Sequence, residues 1–209
     1  FEADSSLNLI GASAFQKCTY LSDIVIPKSV ETIGQSAFRY CSGLSKVTFD
    51  TSSNLTSIED NTFRSCSLLK DIAIPKLVET IGQSAFQDCS DLSKVTFEED
   101  SSLNLIGASA FQNCTSLSAI TLPSSLTTIN EYAFYNCTSL SSIAIPKLVE
   151  TIGLMVFQYC SILEQVTFEK DSSLNLIGAS AFQNCTSLST ITIPKSVETI
   201  GQSAFRYCS

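Results

Sequence analysis

Apolar and polar positions recur along this 209-residue chain with a period that switches between 23 and 25 residues. Cys18, Cys41, Cys66, Cys89, Cys114, Cys137, Cys160, Cys185 and Cys208 mark it, at steps of 23, 25, 23, 25, 23, 23, 25 and 23. A Phe stands three positions before each cysteine, from Phe15 to Phe205. A Leu stands three positions after each except the last, from Leu21 to Leu188. The segments that begin at that Leu read LSDIVI, LSKVTF, LKDIAI, LSKVTF, LSAITL, LSSIAI, LEQVTF and LSTITI. Their first, fourth and sixth positions are apolar, and the final three alternate in, out, in. That is the period of a half-buried strand, so the pattern predicts eight short strands with their third and fifth positions facing solvent.

Beyond the strand the repeats divide into two kinds. The shorter turns on a proline (Pro27, Pro75, Pro123, Pro146 or Pro194), where a ladder donor can be spared. The longer replaces the proline with an acidic turn, as in FEEDSSLNLIG, whose two extra residues account for the 25-residue steps. Most repeats close on Ile-Gly, and Gly34, Gly82, Gly107, Gly153 and Gly178 are expected at bends that need unusual backbone angles. The spacing of Ala110, Cys114 and Leu117 is helix-like and predicts a short helical turn.

A unit this short cannot bury its own apolar side, so copies must stack and cover one another. The expected architecture is an α/β right-handed solenoid, with a parallel sheet on one face and short helical turns and strands on the other. Residues 1–209 read as a single solenoid of about nine repeats. Nine phenylalanines precede the cysteines, and Phe1, Phe49, Phe97 and Phe168 end strands of the longer repeats. All thirteen are therefore assigned to the core. The chain opens on Phe1 and stops one residue past Cys208 without polar capping repeats. It reads as a piece of a longer array, truncated at both ends, with end-to-end self-association as the expected consequence.

The unit AFQNCTSLSTITIPKSVETIGQSAF resembles the BspA-like, or treponemal-type, class of leucine-rich repeat. The resemblance rests on the A-F-x-x-C step, the L-x-x-I-x-I-P strand and the V-x-x-I-G closure, and it covers essentially the whole chain. It implies a leucine-rich-repeat solenoid. It also implies a secreted or cell-surface location and adhesion to host proteins and cells, as in family members from bacteria and parasitic protists. The family has no common catalytic residues, so none is carried over.

Charge and composition narrow the function classes. A net charge of -8 argues against nucleic acid and against docking on anionic membrane. The absence of His removes Ser-His-Asp and Cys-His nucleophile activation and the commonest metal ligand. No apolar run approaches the roughly 20 residues of a membrane span. No cofactor is expected.

Evenly spaced cysteines on rungs roughly 4.8 Å apart predict a buried column of free thiols, because bridging stacked neighbours strains disulfide geometry. Without a C-x-x-C pair, zinc is not expected. The acidic turns Glu2-Ala-Asp4, Glu98-Glu-Asp100 and Glu169-Lys-Asp171 suggest calcium. Calcium needs six or more converging oxygens, whereas these turns sit on different rungs and read as solvated loops. Four sequons start at Asn54, Asn113, Asn136 and Asn184. The last three asparagines are expected to be exposed, with their threonines bonding backbone.

The strand's outward positions carry the functional reading. The third positions are Asp23, Lys46, Asp71, Lys94, Ala119, Ser142, Gln165 and Thr190. The fifth are Val25, Thr48, Ala73, Thr96, Thr121, Ala144, Thr167 and Thr192. The face is low in relief and opens with an alternating charge ladder. It is the candidate surface for a protein or glycoprotein ligand, with Tyr40, Tyr159 and Tyr207 on another edge as an alternative. A structural role, as a spacer or self-associating rod, is the competing function.

Overall fold

The structure, a computed structural model, describes Phe1 and residues 5–208. The expected acidic turn Glu2-Ala-Asp4 and the terminal Ser209 lie outside the described residues. The chain winds as a right-handed parallel β-solenoid of about eight turns. In chain order the first strands are β1 (Leu9–Ile10), β2 (Asp23–Ile26), β3 (Thr32–Ile33), β4 (Lys46–Phe49), β5 (Ser57–Ile58), β6 (Asp71–Ile74), β7 (Thr80–Ile81) and β8 (Lys94–Phe97). Then follow β9 (Leu105–Ile106), β10 (Ala119–Ile120), β11 (Thr128–Ile129), β12 (Ser142–Ile145), β13 (Thr151–Ile152), β14 (Gln165–Phe168), β15 (Leu176–Ile177) and β16 (Thr199–Ile200). The even-numbered strands β2 to β14 form one seven-stranded parallel sheet, and the rest form a nine-stranded parallel sheet.

Alternation decides what each strand buries. In β2, Ile24 and Ile26 are buried while Asp23 and Val25 face solvent, and β6 repeats that pattern. Behind the strands, the phenylalanines that precede the cysteines stack in one column from Phe15 to Phe205. Neighbouring ring centroids lie 5.1 Å apart at the Phe15–Phe38 step and 5.5 Å at Phe134–Phe157, and the planes stay within 14° of parallel. At these separations the rings pack as offset stacks.

The expected helical turns are absent: no helix occurs among the described residues. The segment from Ala110 to Leu117 is a chain of turns instead. Ser109 and Asn113 take left-handed angles, with φ of 57° and 61°. Every other N–H then points along the solenoid axis. Ser109, Phe111 and Asn113 donate to the carbonyls of Glu131, Ala133 and Tyr135 in the next turn at 2.8–2.9 Å. The alternate donors Ala110, Gln112 and Cys114 bond within the turn, to residues three back. Stacking supplies backbone partners that a helix would otherwise provide, and the apolar spacing that suggests a helix serves this ladder equally well.

The closing glycines are also there for a different reason. None has positive φ. A Cβ on Gly34 would lie 2.6 Å from the Ala12 nitrogen, and one on Gly178 would lie 2.6 Å from the Gly153 carbonyl carbon. The need is close approach between stacked turns.

Candidate functional site

The seven-stranded sheet places the candidate ligand-binding residues on one outward face. Asp23, Lys46, Asp71, Lys94, Ala119, Ser142 and Gln165 are neighbours in register across β2 to β14. Val25 pairs with Thr48, Ala73 with Thr96, and Ala144 with Thr167 in the second row. These side chains are exposed, apart from a half-buried Ser142. Thr121 and Thr192 are exposed too, but stand outside the strands. Ion pairs among the described residues lie elsewhere, at Arg64–Asp88 (3.8 Å) and Lys76–Asp100 (3.4 Å). The Asp23–Lys46–Asp71–Lys94 ladder is thus in register without being closed into ion pairs, which leaves its charges facing solvent.

Of the eight expected strands, the LSTITI segment at 188–193 does not join the sheet, and the LSAITL segment contributes only the two residues of β10. Both follow a longer rung. A longer rung following a shorter one pairs over four residues, as in β2–β4, β6–β8 and β12–β14. A shorter rung following a longer one pairs over one residue in β4–β6, over two in β8–β10, and not at all after β14. The long acidic turn leans back over the preceding rung: Glu98 accepts the Lys76 N–H at 3.0 Å, and Glu169 accepts the Lys147 N–H at 2.9 Å. Its other side is left open. A cleft of about 370 Å³ lies between β8 and the segment at 121–124. A larger one of about 840 Å³ lies between β14 and the segment at 190–196. That last segment is tied to the preceding rung at both ends, by Ser187 N–H to Ser161 and Glu198 N–H to Asn175.

The thiols form the predicted buried column. All nine cysteines are free; seven are buried, Cys18 is exposed and Cys208 is half-buried. Each from Cys41 onward donates its S–H to the carbonyl of the phenylalanine one rung back, as Cys89 does to Phe63 at 3.1 Å. The cysteine is therefore a directional donor as well as a small apolar residue. Burial pushes the Cys89 and Cys137 thiols up to about 12, and it moves Cys114 and Cys160 well above 9.0. Thiols held protonated in this way are poor nucleophiles and poor metal ligands at neutral pH. Among the described residues, no group of three or more Cys, Asp or Glu side chains is placed to hold a metal ion. No helix there is long and apolar enough to cross a membrane.

The sequon asparagines differ from expectation. Asn113, Asn136 and Asn184 are half-buried rather than exposed. The Asn113 amide donates to Asp88 at 2.8 Å, and the Asn136 amide donates to Asn113 at 3.0 Å. These side chains occupy the left-handed position of the turn, which Asn tolerates, and they ladder across rungs. The threonine hydroxyls of the same sequons do bond backbone, as Thr138 does to Thr115 at 3.4 Å and Thr186 to Ser161 at 3.1 Å.

Tyr132, Tyr135 and Tyr159 cluster on the turn side, with ring centroids 5.9 Å and 5.5 Å apart. Of the alternative tyrosines Tyr40, Tyr159 and Tyr207, only Tyr159 belongs to this cluster, and the repeat pattern does not single out Tyr132 or Tyr135. Tyr132 departs from the repeat: it stands where most rungs carry Ser, at φ 58°.

Comparison with known proteins agrees with this geometry. The family described as "BspA type Leucine rich repeat region" matches in six copies, over residues 1–104 and 98–209. A leucine-rich repeat protein from Bacteroides ovatus is 32% identical, with a TM-score of 0.80; the match covers 94% of this chain and 49% of that one. This chain thus spans about half the length of that relative. The T. pallidum leucine-rich repeat protein is 25% identical, with a TM-score of 0.63, over 93% of this chain and 78% of its own. No curated protein matches the chain. The repeat, the stacked core and these similarities agree: the chain belongs to the BspA-type leucine-rich-repeat family.

Proposed function

We propose that this chain is a non-enzymatic recognition module of a secreted or cell-surface protein, binding a host or matrix protein or glycoprotein through the outward face of its seven-stranded sheet. One observation carries the reading: Asp23, Lys46, Asp71 and Lys94 stand in register and exposed, without ion pairs to one another. Such a row offers a partner complementary charge at regular steps, which favours encounter rate and register. The remaining face is small and hydroxyl-rich and lacks the Trp, Tyr and Arg anchors of compact hot spots. Affinity must then accumulate over several rungs. Family membership supports the surface location and the adhesive role.

A structural spacer or self-associating rod is the second reading, favoured by the unbroken phenylalanine column, which carries a stiff core unchanged from rung to rung. Surface plasmon resonance of the immobilised solenoid against purified matrix glycoproteins, with light scattering over a concentration series, separates the two. Recognition predicts saturable binding of at least one glycoprotein and a constant molecular mass. No binding together with a mass that grows with concentration would establish the rod instead.

A further inference from the structure

The two clefts are copies of one feature. Thr96, Glu98 and Asp100 line the smaller; their counterparts Thr167, Glu169 and Asp171 line the larger, three repeats further along. Their volumes, about 370 and 840 Å³, fall within the roughly 300–1,000 Å³ of ligand pockets. The larger cleft also holds an unmet polar group. Ser29 and Ser125 each donate to two carbonyls of the preceding rung. The equivalent Ser196 hydroxyl, its oxygen buried in the cleft wall, has no partner.

We propose that the paired clefts form one binding site for an extended peptide segment of a partner protein carrying two basic side chains four residues apart. Three rungs at about 4.8 Å place the clefts about 14 Å apart, and four residues of extended chain span about 13 Å. The smaller cleft presents Glu98 and Asp100, and the larger presents Glu164, Glu169 and Asp171, which outnumber its one cation, Lys195. The Asp100–Lys76 pair at 3.4 Å is solvent-exposed, so it is weakly held and yields to an incoming cation. Between the clefts, the sheet offers the small outward residues Ala119, Ser142 and Ala144, with Gln165 and Thr167 of β14 at the edge of the larger cleft, a low surface over which a peptide backbone lies. This site deepens the recognition reading and rests on it, since it names the chemistry of the ligand.

The test uses fluorescein-labelled nine-residue peptides of Thr and Val in fluorescence anisotropy at physiological salt. One carries lysines four residues apart, a second carries them two apart, and a third carries a single lysine. The four-apart peptide should bind at least about tenfold tighter than either control, because the second contact is intramolecular. Asp100→Asn and Asp171→Asn should each reduce it to the single-lysine affinity. Equal binding of the two dilysine peptides, or none by any peptide, overturns the proposal. The spacing comparison leaves the protein untouched, so a variant that folds poorly does not blur it. If matrix glycoproteins bind while these peptides do not, this site falls and the recognition reading stands.

Discussion

The Cys114 thiol donates to the Phe86 carbonyl oxygen, one rung back, at 3.2 Å. That oxygen already accepts the Cys89 N–H from within its own turn. The bond thus ties two rungs through the residue that also supplies the aromatic column.

Replacing Cys114 separates its two roles. Cys114→Ala loses the donor and leaves a small void, at a cost of about 1–3 kcal/mol. Reading the cysteine as merely apolar puts Ser among the damaging replacements, on the ground that its hydroxyl is poorly partnered. With the Phe86 carbonyl at hand, Cys114→Ser should cost less than Cys114→Ala. Urea midpoints of the two variants check this, and a larger loss for Ser would remove the carbonyl from the account.

Alkaline pH should weaken the fold steeply. The Cys89 and Cys137 thiols ionise near 12 in the folded chain and near 9.0 when unfolded, because burial disfavours the thiolate. Between those values the unfolded chain binds fewer protons, so rising pH favours it. This stabilisation is fully present below pH 9 and falls by up to about 1.4 kcal/mol per pH unit for each buried thiol. Urea melts from neutral pH upward should show the midpoint flat and then dropping. A midpoint that stays flat through pH 11 would contradict the burial.

Thiol labelling gives a separate check on the same column. In the native state at neutral pH only Cys18 and Cys208 should react readily, as the other seven are buried. Nine should react after unfolding. Rapid native labelling of more than these two would show that the column opens.

The glycines test rung spacing. A Cβ on Gly34 meets the Ala12 nitrogen at 2.6 Å, while one on Gly11 meets nothing within 4 Å. Gly34→Ala should therefore destabilise by about 1–3 kcal/mol through overpacking, and Gly11→Ala should stay within about 0.5 kcal/mol. Thermal melts of the pair decide, and equal effects would deny the close approach.

Much of the fold was legible because the repeat is a ruler. The shared phase of Leu21, Leu44 and their successors placed the strands, and the alternation in DIVI and DIAI placed Asp23 and Asp71 outside. The turn was not legible. Ala110, Cys114 and Leu117 are spaced alike for a helix and for stacked turns, and only the left-handed Ser109 and Asn113 tell them apart. Backbone angles of that kind follow from hydrogen bonds to the next rung, which no single repeat contains. The clefts were half legible: the 23- and 25-residue steps were visible. Which side of a long rung opens depends on Glu98 and Glu169 reaching back to Lys76 and Lys147.

The most direct test of recognition through the sheet face reverses its two cations. Lys46→Glu with Lys94→Glu converts the alternating ladder into a wholly acidic row, while Glu131→Lys changes charge at an exposed position on the turn side. Affinity for the matrix glycoprotein that binds the parent chain is then measured by surface plasmon resonance for both variants, with melting temperatures confirming the fold. The account predicts at least about a tenfold loss for the double reversal, largely in association rate, and no change for Glu131→Lys. Unchanged binding by the double reversal would contradict it.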